Sequence, residues 1–179
     1  GLERGRDYDV TYLGANGDGH LGRWNLTLSG YAAIGQEDRG TFVEQDGDIR
    51  AFFAAAGASP DFAWIHGRAT IVSASGDDDP FDDVATGYDA IFENPLVAGA
   101  DTSFWIRQPV PLIGGGRVAL SGRNGLLPSL CSSKEFGQSN FTNPGLLLVG
   151  VGADFDVLPT LRASDNANGL WFAETAPLE

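Results

Sequence analysis

Residues 25–35 read NLTLSGYAAIG, and apolar and polar side chains alternate along this stretch. One set of alternate positions is apolar or glycine and consists of Leu26, Leu28, Gly30, Ala32 and Ile34. The intervening set is mostly polar and consists of Asn25, Thr27, Ser29, Tyr31 and Ala33. Successive side chains of a β-strand point to opposite faces of the sheet. The pattern therefore predicts a strand with one apolar face and one polar face.

The same two-residue period predicts further strands along the chain. Eight segments qualify, although 48–57 could also be read as a helix: 8–13, 25–35, 48–57, 63–72, 102–108, 117–121, 146–155 and 161–172. We expect 48–57 and 63–72 to form an antiparallel hairpin through a tight turn at 59–62, which contains Pro60. We expect one face of the sheet to carry Leu26, Leu28, Ile34, Ile65 and Ile71. We expect the opposite face to carry Thr27, Ser29, His66 and Arg68.

The connections between these segments alternate in length. Residues 15–23, 59–62 and 156–160 are short, whereas 37–47 is longer and 75–145 is very long. Short turns at one end and long loops at the other are typical of up-and-down barrels in outer membranes. The predicted fold is all-β, an antiparallel up-and-down barrel over 1–179 or a segment of one, with 75–145 as a long loop region. Eight strands would permit closure. Because 102–108 and 117–121 are short, we favour a segment of a larger barrel with both in an outer loop.

Composition and charge exclude several classes of protein. Eleven basic residues stand against 24 acidic ones, which gives a net charge of −13. Nucleic acid is therefore not an expected partner, because binding to phosphates requires clustered Lys and Arg. Cys131 is the single cysteine, so the chain has no internal disulfide. The sequence holds no apolar run of 18 residues, which excludes a transmembrane helix within it.

An acidic stretch at 77–83, DDDPFDD, is the candidate metal site. Five carboxylates within seven residues could supply the oxygen ligands that Ca²⁺ prefers, with Asp77, Asp79, Asp82 and Asp83 as the candidates. The spacing does not match a calcium-binding EF-hand loop. A solvated acidic loop is the other interpretation, and no further cofactor is expected.

The polar faces supply the candidate lumen-lining residues, which are Arg50, His66, Arg68 and Arg162. If the apolar faces meet lipid, these side chains line the interior and contribute to solute selectivity. In a water-soluble sandwich the same alternation would mean core and solvent with the sides exchanged. Catalysis by His66 is not expected, because no nucleophile motif accompanies it. We therefore predict that the protein is not an enzyme.

Several segments resemble a known family. They are 16–27 (NGDGHLGRWNLT), 87–95 (GYDAIFENP) with Phe104 and Trp105, and 123–130 (RNGLLPSL) with 139–145 (SNFTNPG). Together they are similar to large proteobacterial porin-like proteins of the outer membrane, which are loosely similar to alginate-export barrels. The resemblance implies a longer parent barrel and a channel role. Asp165, in the apolar row of the last strand, departs from the pattern.

The sequence thus predicts a porin-like channel of the bacterial outer membrane for passive passage of small solutes. Its expected partners are the lipid bilayer and a small-molecule solute, and a homo-oligomer is left open. The alternative is a secreted or surface-exposed all-β binding or structural module, supported by calcium at 77–83.

Overall fold

The computed structural model describes residues 7–38, 45–89, 109–111, 117–119 and 141–178. Nine strands and one 3₁₀ helix lie in these ranges. The strands are β1 (Tyr8–Leu21), β2 (Trp24–Glu37), β3 (Gly47–Phe62), β4 (Ile65–Ala74), β5 (Val84–Ala85), β6 (Pro109–Pro111), β7 (Arg117–Ala119), β8 (Leu146–Leu158) and β9 (Leu161–Trp171), and the helix spans Ala176–Leu178. Among these residues, no helix has the length and apolar character needed to cross a membrane.

Six long strands form one antiparallel up-and-down sheet in the order β1-β2-β3-β4-β8-β9. The short strand β5 joins this sheet by parallel pairing with β3. The sheet is not closed into a barrel within the described residues, where β1 and β9 are its edges. The all-β, antiparallel, up-and-down prediction is confirmed, and 48–57 is a strand rather than a helix.

Two of the eight predicted strands, 102–108 and 117–121, lie in the long connection between β4 and β8. The segment predicted at 117–121 is represented by β7, which pairs with β6 in a separate two-stranded hairpin and not with the main sheet. The segment at 102–108 lies outside the described residues. The main sheet therefore contains six of the eight predicted strands.

The two faces of the sheet follow from the register. Leu28 pairs with Ala56, Ala56 with Ile71, and Ile71 with Val149, so these four residues share one face, here called the outer face. Thr27 pairs with Gly57 and Gly57 with Thr70 on the opposite face, here called the inner face. The predicted division is confirmed. Leu26, Leu28, Ile34, Ile65 and Ile71 lie on the outer face, and Thr27, Ser29, His66 and Arg68 lie on the inner face.

The strands run further than the sequence predicts, so two predicted turns are wrong. β1 continues through 15–21, and the chain turns at Gly22 and Arg23, where Gly22 adopts a φ of 64° that favours glycine. β3 continues through 59–62, and the predicted hairpin with β4 turns at 63–64 instead. Residues 159–160 connect β8 to β9. These three tight connections share one end of the sheet, the turn end, and the opposite end is the loop end.

Pro60 is the reason that the sequence predicts a turn at 59–62, where the structure has a strand. Proline has no N–H to donate to a ladder, which usually places it in turns or at strand edges. Here the register of β3 with β4 skips Ser59 and Pro60, while the register with β2 continues through Trp24 opposite Pro60. Gly67 lies beside the proline ring, and a Cβ there would be 3.1 Å from Pro60 Cγ. The strand therefore tolerates the proline where its neighbour is a glycine.

The dry core lies on the inner face near the loop end. Its centre is formed by small and branched side chains of the sheet, Ala33, Ile49, Ala51, Ala55, Val72, Ala74, Leu146 and Leu148. Residues from the connection between β4 and β8 complete it, namely Ala85, Tyr88 and Phe141. The connection thus packs against the sheet and covers part of its inner face.

Candidate functional site

The outer face is apolar and exposed. Leu28, in the middle of β2, has 62% of its surface exposed, although a core leucine would be covered. Large exposed apolar side chains occur on the outer face of each long strand: Leu13, Leu21, Trp24, Leu26, Leu28, Ile34, Phe52, Phe62, Ile71, Leu147, Val149, Val151, Leu161 and Trp171. Monomeric soluble proteins rarely expose contiguous apolar patches of this extent. An exposed apolar surface of this kind marks an interaction site for a membrane or for another protein.

Aromatic side chains bound the outer face at both ends. Trp24, Phe62 and Phe155 lie near the turn end, whereas Phe52 and Trp171 lie towards the loop end. The span from Trp24 to Ile34 along β2 corresponds to about 34 Å at the rise of an antiparallel strand. At a strand tilt of about 45° it covers roughly 24 Å along the membrane normal, close to the ~25 Å apolar band of outer-membrane barrels.

Four charged residues of the long strands lie on the outer face: Asp9, Asp48, Arg50 and Asp165. Asp165 pairs with Ala153 in the β8–β9 register and is exposed, which confirms its expected position in the apolar row of the last strand. Arg50 pairs with Ile34, so it lies on the opposite face from His66 and Arg68. Its predicted place among the lumen-lining residues is corrected, because alternate positions of β3 put Arg50 with Phe52. The Arg50 guanidinium contacts the Asp48 carboxylate at 2.6 Å, towards the loop end.

A polar row crosses the inner face near the turn end. His66 on β4 lies between two carboxylates, with Nδ1 3.0 Å from Asp61 on β3 and Nε2 3.4 Å from Asp156 on β8. Asp61 accepts a hydrogen bond from Asn25 on β2 at 2.8 Å. Arg162 on β9 donates through Nε to Asp156 at 2.7 Å. One chain of polar contacts therefore links five neighbouring strands.

A second polar row lies one step further from the turn end. Arg68 on β4 donates to Asp154 on β8, and its other terminal nitrogen lies 3.1 Å from the Asn166 side-chain oxygen on β9. Ser164 donates to the second oxygen of Asp154 at 2.5 Å. The predicted residues His66, Arg68 and Arg162 thus lie together on the inner face. Their carboxylate partners Asp61, Asp154 and Asp156 were not predicted as site residues.

The acidic stretch does not form a solvated loop throughout. Asp77 is 1% exposed and accepts hydrogen bonds from the Thr86 backbone N–H and hydroxyl, both at 3.1 Å. Burial raises the pKa of the Asp77 carboxyl, and the Thr86 hydrogen bonds oppose that rise. Asp79 and Asp82 are exposed and accept backbone N–H groups two residues ahead. Asp83 is also exposed, and its carbonyl oxygen accepts from Asp48 N–H.

Three of the carboxylates predicted as metal ligands make separate hydrogen bonds within the connection. Asp77 is occupied by Thr86, whereas Asp79 and Asp82 close local turns. Across the described ranges, no group of three or more His, Cys, Asp or Glu side chains is placed to hold a metal ion.

An acidic cavity at the loop-end rim was not predicted from the sequence. It is open to solvent, has a volume of about 570 Å³ and lies between the start of β1, the end of β2 and the start of β3. Its carboxylates are Asp7, Asp9, Glu37, Asp38, Asp46, Asp48 and Asp83. They come from four separate stretches of the chain, so only the sheet register brings them together.

Known proteins offer no direct comparison for this arrangement. No family model, curated protein or solved structure matches the chain.

Proposed function

We propose that this chain forms part of the wall of an outer-membrane β-barrel and that its inner face lines a passage for small solutes. The proposal includes no catalytic step. The observation that carries it is the exposed apolar outer face, bounded by aromatic residues, on the reverse of a sheet whose inner face bears charged rows. The resemblance to porin-like outer-membrane proteins points in the same direction.

The position of the hydrophobic core argues against a water-soluble β-sandwich. A soluble sandwich packs its most apolar face against a second sheet and exposes its polar face. Here the face with Leu26, Leu28 and Ile71 is exposed, and the described core lies on the opposite face. A bilayer satisfies this inverted arrangement, because hydrocarbon covers the outer face without a second sheet.

The charged rows suit a wetted wall. His66, Arg68 and Arg162 each lie beside a carboxylate from a neighbouring strand. These pairs keep charges of both signs on the surface of the inner face without placing any of them against lipid. Such a wall lets water and small polar solutes pass and influences which ions do so.

Closure requires strands beyond the six long ones described. The smallest bacterial barrels of this type have eight strands, and open strand edges in a membrane leave backbone groups without partners. β1 and β9 run antiparallel to each other because an even number of long strands separates the two edges of the meander. Additional antiparallel strands, from a longer parent barrel or from a second copy, can therefore continue the wall on both sides.

Electrical recording across a planar bilayer tests the proposal. The barrel that contains this chain, closed by further strands of its parent or by a second copy, is folded in detergent, added to one side and expected to produce stepwise ionic conductance. Folded protein that inserts into the bilayer without conducting would refute the passage.

Two substitutions of opposite charge at Thr70 test whether the inner face lines the conducting path. Thr70 lies on the inner face between Gly57 and Gly150, which leave room for a longer side chain. Thr70→Lys should shift ion selectivity towards anions and Thr70→Glu towards cations. Reversal potentials that do not differ between the two variants would show that this face does not line the conducting path.

A further inference from the structure

The connection between β4 and β8 crosses the inner face at the loop end. Leaving β4, the chain forms β5 beside β3. Residues 86–89 then carry Tyr88 across to β1, where its ring packs edge-on against Tyr12, with centroids 6.3 Å apart. The returning segment 141–145 begins at Phe141, whose ring lies 6.4 Å from that of Tyr8 on β1. Both segments thus lie over the inner face between β3 and β1.

Hydrogen bonds join the two segments to each other and to the sheet. Tyr12 Oη donates to the Asp89 carbonyl oxygen at 2.8 Å. Gly87 N–H donates to the Phe141 carbonyl at 2.7 Å, and Asn143 Nδ2 donates to the Tyr88 carbonyl at 3.2 Å. Tyr88 N–H donates back to the Ser75 carbonyl at 2.8 Å. The crossing is therefore fastened at both the β4 side and the β1 side.

Packing makes the crossing close-fitting. Phe141 is 1% exposed, and Tyr88 packs against Phe53 with ring centroids 5.4 Å apart. A Cβ at Gly87 would lie 2.5 Å from the Phe141 carbonyl oxygen, so the two segments of the crossing meet at a distance that only glycine permits. Burial of two aromatic rings favours this position over one extended into solvent.

We propose that this crossing restricts the passage at the loop end and leaves a polar vestibule that opens towards the turn end. The inference rests on the proposed function, because it concerns the passage lined by the inner face. Tyr88 and Phe141 are the residues that hold the restriction against the wall. The vestibule wall is the half of the inner face with the rows centred on His66 and Arg68, and the contacts that residues 86–89 and 141 make with Tyr8 and Tyr12 lie nearer the loop end.

Replacing Tyr88 or Phe141, here called the anchor residues, by alanine tests this assignment. In bilayers, Tyr88→Ala and Phe141→Ala are expected to raise single-channel conductance by a factor on the order of two and to admit larger uncharged polymers. Phe81→Ala is the matched control, because Phe81 belongs to the same connection but is 68% exposed. That variant should conduct as the original chain does. Anchor variants that conduct and exclude polymers as the original chain does would overturn the inference.

A second measurement avoids destabilising the crossing. Thr70→Cys, combined with Cys131→Ser, places one thiol in the vestibule of protein inserted in one orientation into vesicles. A small impermeant thiol reagent should label it from both sides, whereas a bulky one should label it only from the turn-end side. Equal labelling by the bulky reagent from both sides would overturn the inference. If the original chain conducts, that result leaves the proposed function standing, whereas absence of all conductance refutes the proposed function itself.

Discussion

An arginine in the middle of the outer face tests whether that face meets lipid. Leu28 lies about 14 Å along β2 from Trp24, which a tilt of about 45° converts to roughly 10 Å along the membrane normal. It therefore lies within a few ångströms of the middle of a ~25 Å apolar band. An arginine near the midplane of such a barrel costs about 2–4 kcal/mol. Leu28→Arg should lower the free energy of unfolding from lipid vesicles by about that amount.

The expected loss is large enough to measure by urea titration. With a slope of about 2 kcal/mol per molar, the midpoint should fall by roughly 1–2 M. Thr27→Arg is the matched control, since Thr27 immediately precedes Leu28 on β2 and lies exposed on the inner face. We expect its midpoint to change by less than about 0.5 M. Equal effects of the two substitutions, or a loss below about 0.5 kcal/mol for Leu28→Arg, would refute the lipid-facing assignment.

Three further predictions concern single residues. Because burial raises the pKa of Asp77 in the folded chain, the stability tied to its neutral form is present below about pH 4 and is lost as pH rises through the raised pKa. Asp77→Asn keeps the acceptor for Thr86 and should remove this part of the pH dependence of thermal unfolding; an unchanged pH profile would contradict it. Asp165→Leu should leave stability in detergent intact or improved, whereas a large loss both with and without detergent would indicate a specific partner of Asp165. Gly35→Ala should cost about 1–3 kcal/mol, because a Cβ there would lie 2.1 Å from the Asp9 carbonyl oxygen. Gly30→Ala, with no atom within 4 Å of the added Cβ, is its control and should be near neutral in the same denaturant titration.

The faces of the sheet were predictable because a two-residue period is a local property of the chain. The alternation in 25–35 and 63–72 assigned Leu28, Ile71, His66 and Arg68 to the correct faces. Strand ends were less predictable. The glycines and aspartate at 16–19 favour a turn by composition, yet they extend β1 through pairing with 26–29 of β2. Long-range pairing therefore overrides the local preference at these positions.

The connection across the inner face could not be predicted from local patterns. Tyr88 and Phe141 are far apart in sequence and meet only through the folded sheet, and β5 pairs with β3 over only two residues. The partners of His66 could not be predicted either, because they come from other strands and are brought together only by the sheet register. The sequence predicts a turn around Pro60 that includes Asp61, and only the β3–β4 register places Asp61 beside His66 on the inner face.

Alternating accessibility along β2 tests the central claim most directly. In a Cys131→Ser background, single cysteines replace Leu26, Thr27, Leu28 and Ser29 in turn, and the protein is inserted into vesicles. A water-soluble thiol reagent should label positions 27 and 29 readily. A fluorophore attached before insertion at 26 or 28 should be quenched by brominated lipid, whereas one at 27 or 29 should not. Uniform labelling at all four positions, without lipid quenching at 26 and 28, would contradict a membrane wall with a polar inner face.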